Sequence, residues 1–118
     1  METTIDTRLK VVVLSDQRLG RGDDALGEIL VRSFLHALAE VKPLPSRIVC
    51  YNSGVKLAAT GSPVLEDLRR MGEAGVDILV CGTCVNYFGL DGKIAAGRIS
   101  NMYEIVETLT GAFLLVRP

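Results

Sequence analysis

Two cysteines spaced as C-x-x-C, Cys81 and Cys84 in the string VCGTCVNY, are the residues of this chain best suited to chemistry. A thiol reacts as its thiolate, and a thiolate accepts sulfur, passes it on, or resolves a neighbouring persulfide as a disulfide. The pair closes an apolar run, Asp77 to Cys81, and opens a short helical stretch, Cys84 to Phe88. At such a junction backbone N–H groups and the helix dipole face the sulfurs, which predicts a pKa lowered by one to several units from about 8.5. The competing reading is packing alone, because free cysteine is among the most buried residue types. Position between a strand and a helix favours chemistry.

Other uses of the pair lack parts. Structural zinc needs two more ligands, and only Cys50 and the single histidine, His36, are on offer, each on a separate element. A zinc ribbon would need a second C-x-x-C. A thioredoxin-like site would need a proline before a later strand facing the thiols, and none of Pro43, Pro45, Pro63 and Pro118 is so placed. A sulfur-relay cysteine needs the fewest additions, and it calls for no metal and no cofactor. A site built from Cys81, Cys84 and Cys50 for a metal or small ligand stays open as an alternative.

The remaining candidates are weaker. Cys50 and His36 read as structural, Cys50 packed in the core and His36 half-buried on a helix flank. Gly20 to Ala25 matches G-x-G-x-x-A, yet its first glycine lies five residues past Ser15, where a dinucleotide fingerprint turns directly off the strand. Asp23 and Asp24 would also place two negative charges where a pyrophosphate binds. This segment reads as a flexible loop and helix cap. Tyr87 and Phe88 could wall a dry pocket, and Arg21 and Lys56 could hold an anionic sulfur species, although ordinary packing and solvation explain all four. Asn52, Ser53 and Gly54 offer N–H groups at a strand end and rank next after the C-x-x-C, with Gly82, Thr83 and Asn86 completing the substrate-binding set.

These residues need a scaffold, and the pattern supplies one. Leu9 to Ser15, Arg47 to Asn52 and Asp77 to Cys81 are apolar, β-branched runs suited to strands buried on both faces. A helix is predicted from Asp23 or Asp24 to about Val41, with Leu26, Ile29, Leu30, Phe34, Ala37, Leu38 and Val41 as its apolar positions. A short helical stretch is expected over Val55 to Thr60, and a helix from Ser62-Pro63 to about Ala74, closed by a left-handed Gly75. A fourth strand falls within Ala96 to Ile99. Asn101, with Glu104 three residues on, caps a helix ending near Thr110, and Ala112 to Val116 is the last strand. Strands alternating with helices make a three-layer α/β domain of about five mostly parallel strands, helices on both faces. In such sheets ligands bind beyond the carboxyl ends of the strands. The loops at Asp16 to Asp23, Asn52 to Gly54 and Cys81 to Val85 therefore define the expected site.

Composition narrows the class. The chain has 118 residues, 48% hydrophobic and 23% charged, enough for one domain with a real core. Its net charge of −1 gives no field that concentrates nucleic acid or an anionic membrane. No apolar run is long enough to span a bilayer, and Met1 to Arg8 carries no secretory h-region, so a soluble, cytoplasmic protein is expected. High apolar content in a short chain also makes a homo-oligomer the expected state.

The strings GRGDDALGEILVRSFLHAL, NSGVKLAATGS, CGTCVNYFGL and SNMYEIVE, in this order, resemble the DsrE-like domain of YedF-type selenium metabolism proteins. The likeness runs from Val11 to about Val116, making residues 1–118 one DsrE-like domain, with 1–8 a flexible N-terminus. It implies a DsrE/DsrF/TusD-like sulfurtransferase fold, often assembled as trimers or hexamers. It also implies sulfur or selenium held as a cysteine persulfide or perselenide and relayed to a TusA-like carrier. Such a carrier domain usually precedes the DsrE-like one. Since only about eight residues precede the first strand here, the carrier is expected as a separate chain, or this chain as the second domain alone. By distance to Gly89 the carrier cysteine of the resemblance falls on Cys81; by position on the helix, Cys84 competes. Cys81 ranks slightly higher.

Overall fold

The structure, a computed structural model, describes residues 9–118; the segment expected to be flexible, 1–8, lies outside the described residues. Ten elements alternate along the chain. They are β1 (Leu9–Leu14), α1 (Asp24–Glu40), β2 (Arg47–Cys50), a 3-10 segment (Asn52–Ala58), α2 (Leu65–Glu73), β3 (Asp77–Cys81), α3 (Gly82–Tyr87), β4 (Arg98–Ser100), α4 (Met102–Thr110) and β5 (Ala112–Val116).

All five strands are parallel, in the order β4-β3-β2-β1-β5. The chain steps from β1 out to β4 and then returns to the far edge. Right-handed crossovers therefore put α1 and α2 on one face and α4 on the other. Side chains agree. Arg70 of α2 reaches Glu40 of α1 at 2.6 Å, while Arg47 of β2 donates to the Thr108 hydroxyl of α4 at 2.6 Å. The central strands are fully covered, with Val11 to Leu14, Ile48 to Cys50 and Ile78 to Val80 all buried. Covering both faces explains why these runs lack polar alternation.

Local chemistry sets the boundaries. Asp23 caps α1 by accepting from the Leu26 N–H at 2.8 Å, and Asn101 caps α4 by accepting from Glu104 at 2.9 Å. The loop between β1 and α1, expected to be flexible, is tied down. Leu19 donates its N–H to the Gly27 carbonyl at 3.0 Å, and Arg18 pairs with Glu28 at 3.3 Å. Gly75 takes the left-handed turn expected of it, with φ of 107°.

Four expectations shift. The fourth strand begins at Arg98 rather than Ala96. Ala95 and Ala96 both donate to the Ala58 carbonyl instead, and Gly97, at φ 78°, turns the chain back to the sheet. The stretch after β2 is a 3-10 segment that starts at Asn52, and α2 starts only at Leu65, because Ser62 caps the preceding turn by accepting from Val64 at 3.2 Å. On α1 the buried row is Gly27, Val31, Leu35 and Ala39, whereas Leu26 and Ile29 are each 51% exposed. That row, spaced by four, faces the core, with Gly27 tight against Arg18 and Leu19 of the preceding loop, and it leaves Leu26 and Ile29 outside.

Candidate functional site

Residues 81–84 occupy the junction where β3 gives way to α3. Helix geometry begins at Gly82, two residues earlier than expected, so Cys81 is the N-cap and Cys84 the third helical residue. Gly82 allows that early start, because a Cβ there would stand 3.1 Å from Ile99 and 3.2 Å from the Ser100 carbonyl oxygen. The two thiols consequently differ. Cys81 is only 1% exposed, paired in register with Ser100 of β4, while Cys84 is partly exposed on α3.

The other half of the site comes from the end of β2. Asn52 adopts φ 51°, the left-handed region, and among the described residues no other non-glycine does so. In that conformation its backbone N–H donates to Cys84 Sγ at 3.1 Å. The Asn52 side-chain carbonyl accepts from the Ser53 N–H at 2.8 Å, the local bond that lets asparagine tolerate this conformation. Ser53 is held in turn, donating its hydroxyl to Asp16 at 3.2 Å and accepting from the Gln17 N–H at 3.1 Å. The carboxyl ends of β1, β2 and β3 are thus linked in sequence from Asp16 to Cys84.

Asn52, Thr83, Cys84, Tyr87 and Phe88 line an open cleft of about 410 Å³. Tyr87 and Phe88 meet edge to face at 5.3 Å, Tyr87 being 84% exposed, and Lys56 Nζ stands 4.5 Å above the Phe88 ring. The expected dry pocket is therefore an open, aromatic-walled one. Lys56 serves that wall by a cation–π contact, which its charge alone did not announce.

The electrostatics correct the expected thiolate. Burial raises the Cys84 pKa above its ordinary value; the Asn52 N–H opposes this, and the neighbouring Cys81 adds to it. Desolvation outweighs the single backbone donor. At neutral pH the resting group is a thiol.

Of the sequence candidates, Asn52, Thr83 and Cys84 share the cleft, while Cys81 lies beneath it. Ser53 and Gly54 support it from behind, and Gly82 and Asn86 border a shallower depression on the outer side of α3. The ranking of Cys81 above Cys84 reverses on access. Cys50 does not join them: it pairs with Val80, so side-chain alternation turns Cys50 and Cys81 to opposite faces of the sheet. Burial pushes the Cys50 thiol up to about 12. Among the described residues no three His, Cys, Asp or Glu side chains gather as metal ligands, which removes the Cys50 metal alternative. His36 is not half-buried; its ring is 69% exposed, with Nδ1 3.3 Å from Asp67 on α2. A second cleft, of about 250 Å³, opens beyond Lys56 between Gln17, Arg32 and Ser62, and no cysteine lines it. The sequence reading missed the roles of Asp16 and Gln17, whose link to Ser53 spans more than thirty residues and leaves no local signal.

An all-parallel five-stranded sheet covered by helices gives the chain a DsrE/DsrF-like α/β fold of the YchN type. Two solved structures share it. The ychN protein from E. coli superposes with a TM-score of 0.66 at 14% identity, over 93% of this chain and 99% of that one. The protein of unknown function MTH1491 from Methanobacterium thermoautotrophicum gives 0.63 at 20% identity, over the same shares. The likeness is one of fold. No family model and no curated protein matches the chain. No helix among the described residues is long and apolar enough to cross a membrane.

Proposed function

We propose that this protein handles sulfur or selenium by holding it on Cys84 as a persulfide or perselenide. One observation carries this reading: the Cys84 sulfur sits in an open cleft, with a backbone donor fixed on it and a second thiol enclosed directly behind. In the first step Cys84 attacks the outer sulfur of a donor persulfide. The donor's S–S bond breaks, the Cys84 proton passes to the departing donor thiolate, and Cys84 becomes a persulfide. Carrier transfer is the same exchange in reverse, the thiol of a TusA-like protein taking the outer sulfur. Alternatively Cys81 attacks Cys84 Sγ, forms the disulfide and expels hydrogen sulfide or selenide; a dithiol reductant then restores both thiols.

The raised pKa suits this role. A neutral resting thiol resists stray oxidation, and once deprotonated it is the stronger nucleophile for its higher basicity. The exposed Tyr87 ring beside the sulfur gives a protein carrier an aromatic anchor.

Intact-mass measurement after exposure to a persulfide donor tests the proposal. Wild type should gain the mass of one sulfur, and Cys84→Ser should gain none. Cys81→Ser should load normally but release no sulfide when the carrier is withheld. Loading that survives Cys84→Ser would refute the assignment.

A second reading, a non-catalytic assembly module that docks a carrier, is favoured by the exposed apolar residues Met102, Tyr103 and Val106 along α4. It predicts a homo-oligomer that Val106→Glu dissociates in sedimentation, together with thiols that take up no sulfur.

A further inference from the structure

We infer that Asn52 is a positioning residue for Cys84: its left-handed backbone aims a fixed N–H at the sulfur and holds that sulfur in the mouth of the cleft. The inference rests on the reading of Cys84 as the sulfur-bearing residue. It begins from a conformation the chain has reason to avoid. A side chain at φ 51° is disfavoured, yet Asn52 keeps it while its own side chain stays exposed and adds nothing to the core. As the conformation turns the chain out of β2, it also directs one bond, the 3.1 Å donation to Cys84 Sγ.

Three anchors hold this geometry. The Asn52 Oδ1 bond to Ser53 fixes the local turn. Ser53 is pinned to Asp16 and Gln17, so the turn cannot drift away from β1. Tyr51 donates to the Leu14 carbonyl at 3.2 Å, which fixes the residue before it. The donor is thus in place before any charge develops on sulfur, and a prepositioned donor strengthens as its acceptor becomes anionic without reorganising. The titratable groups around the sulfur are Cys81 beneath it, Tyr87 beside it, Lys56 above Phe88 and Asp16 behind Ser53. Against these, the Asn52 N–H is the backbone donor that reaches Cys84 from across the cleft.

The test reads the bond rather than turnover. In wild type the residue-52 amide proton, followed by NMR, should shift with the same pH midpoint as alkylation of Cys84. Asn52→Val, whose branched side chain rejects positive φ, should slow Cys84 alkylation at pH 8 by about tenfold and move its profile alkaline. Asn52→Gly, free to adopt positive φ, should recover most of that loss. An amide that ignores Cys84 ionisation would overturn the inference, as would a glycine variant displaced as far as valine; the amide test needs no variant to fold. Should the amide follow Cys84 while wild type takes up no sulfur, this inference stands and the sulfur-handling reading fails. Sulfur uptake with an indifferent amide leaves the sulfur-handling reading standing and overturns this inference.

Discussion

Gly54 is pressed against Leu14: a Cβ on Gly54 would overlap the Leu14 carbonyl oxygen at the end of β1. The 3-10 segment therefore passes the strand end with no room between them. This close approach is what brings Asn52, two residues earlier, level with the helix that carries Cys84. One glycine sets the width of the site.

Replacing Gly54 with alanine should push the segment away from β1. The clash is with backbone rather than a movable side chain, so the expected cost is about 3 kcal/mol, at the upper end for overpacking. Urea unfolding should show the lowered midpoint with an unchanged slope, and the residue-52 amide should lose its coupling to Cys84. A variant as stable as wild type would show that the strand end yields easily.

Much of this was legible in the sequence because the signals are local. The runs at 9–15 and 77–81 suited strands buried on both faces, and the C-x-x-C closed the second of them. Asn101 announced its cap by type and position, and Asp23 was one of two adjacent aspartates suited to cap α1. The site's asymmetry was not legible. Whether Cys81 or Cys84 faces solvent depends on where α3 begins, and that depends on Ile99 and Ser100 crowding Gly82 from β4. The Asn52 bond to Cys84 joins residues 32 apart, and Ser53 meets Asp16 across 37, pairings that only the assembled sheet creates. The exposed stripe of α1 misled because apolar periodicity marks apolar residues, not the row that reaches the sheet.

Alkaline stability should report on Cys50. Its thiol is held at about 12 against an ordinary 9.0, so the folded protein keeps a proton that the unfolded chain releases. The folded state binds more protons between those values, hence stability is intact below pH 9 and falls as pH rises toward 12. Three units correspond to roughly 4 kcal/mol over that span. Cys50→Ala should be less stable at pH 7, through its cavity, yet lose less on going to pH 11. Parallel denaturation profiles for the two proteins would contradict the assignment.

Acid stability should report on the cluster that holds β4 behind Cys81. Arg98 bonds Asp77 of β3 at 2.9 Å and Glu104 of α4 at 2.6 Å, and Glu104 also accepts from the Ser100 hydroxyl. The Arg98 guanidinium, helped by Ser100, holds Glu104 down at about 2 against an ordinary 4.5, and Arg98 likewise lowers Asp77. A depressed carboxyl contributes stability above its unfolded value, so the contribution is complete above pH 4.5 and is lost as pH falls through 2. Glu104→Gln should therefore melt lower at pH 7 but show a flatter decline between pH 4.5 and 2 by circular dichroism. With β4 loosened, Cys81 should also become open to alkylation in the folded variant, since Ser100 of β4 is its partner in the sheet. If the acid decline is as steep as in wild type and Cys81 stays protected, the cluster is not what seals that thiol.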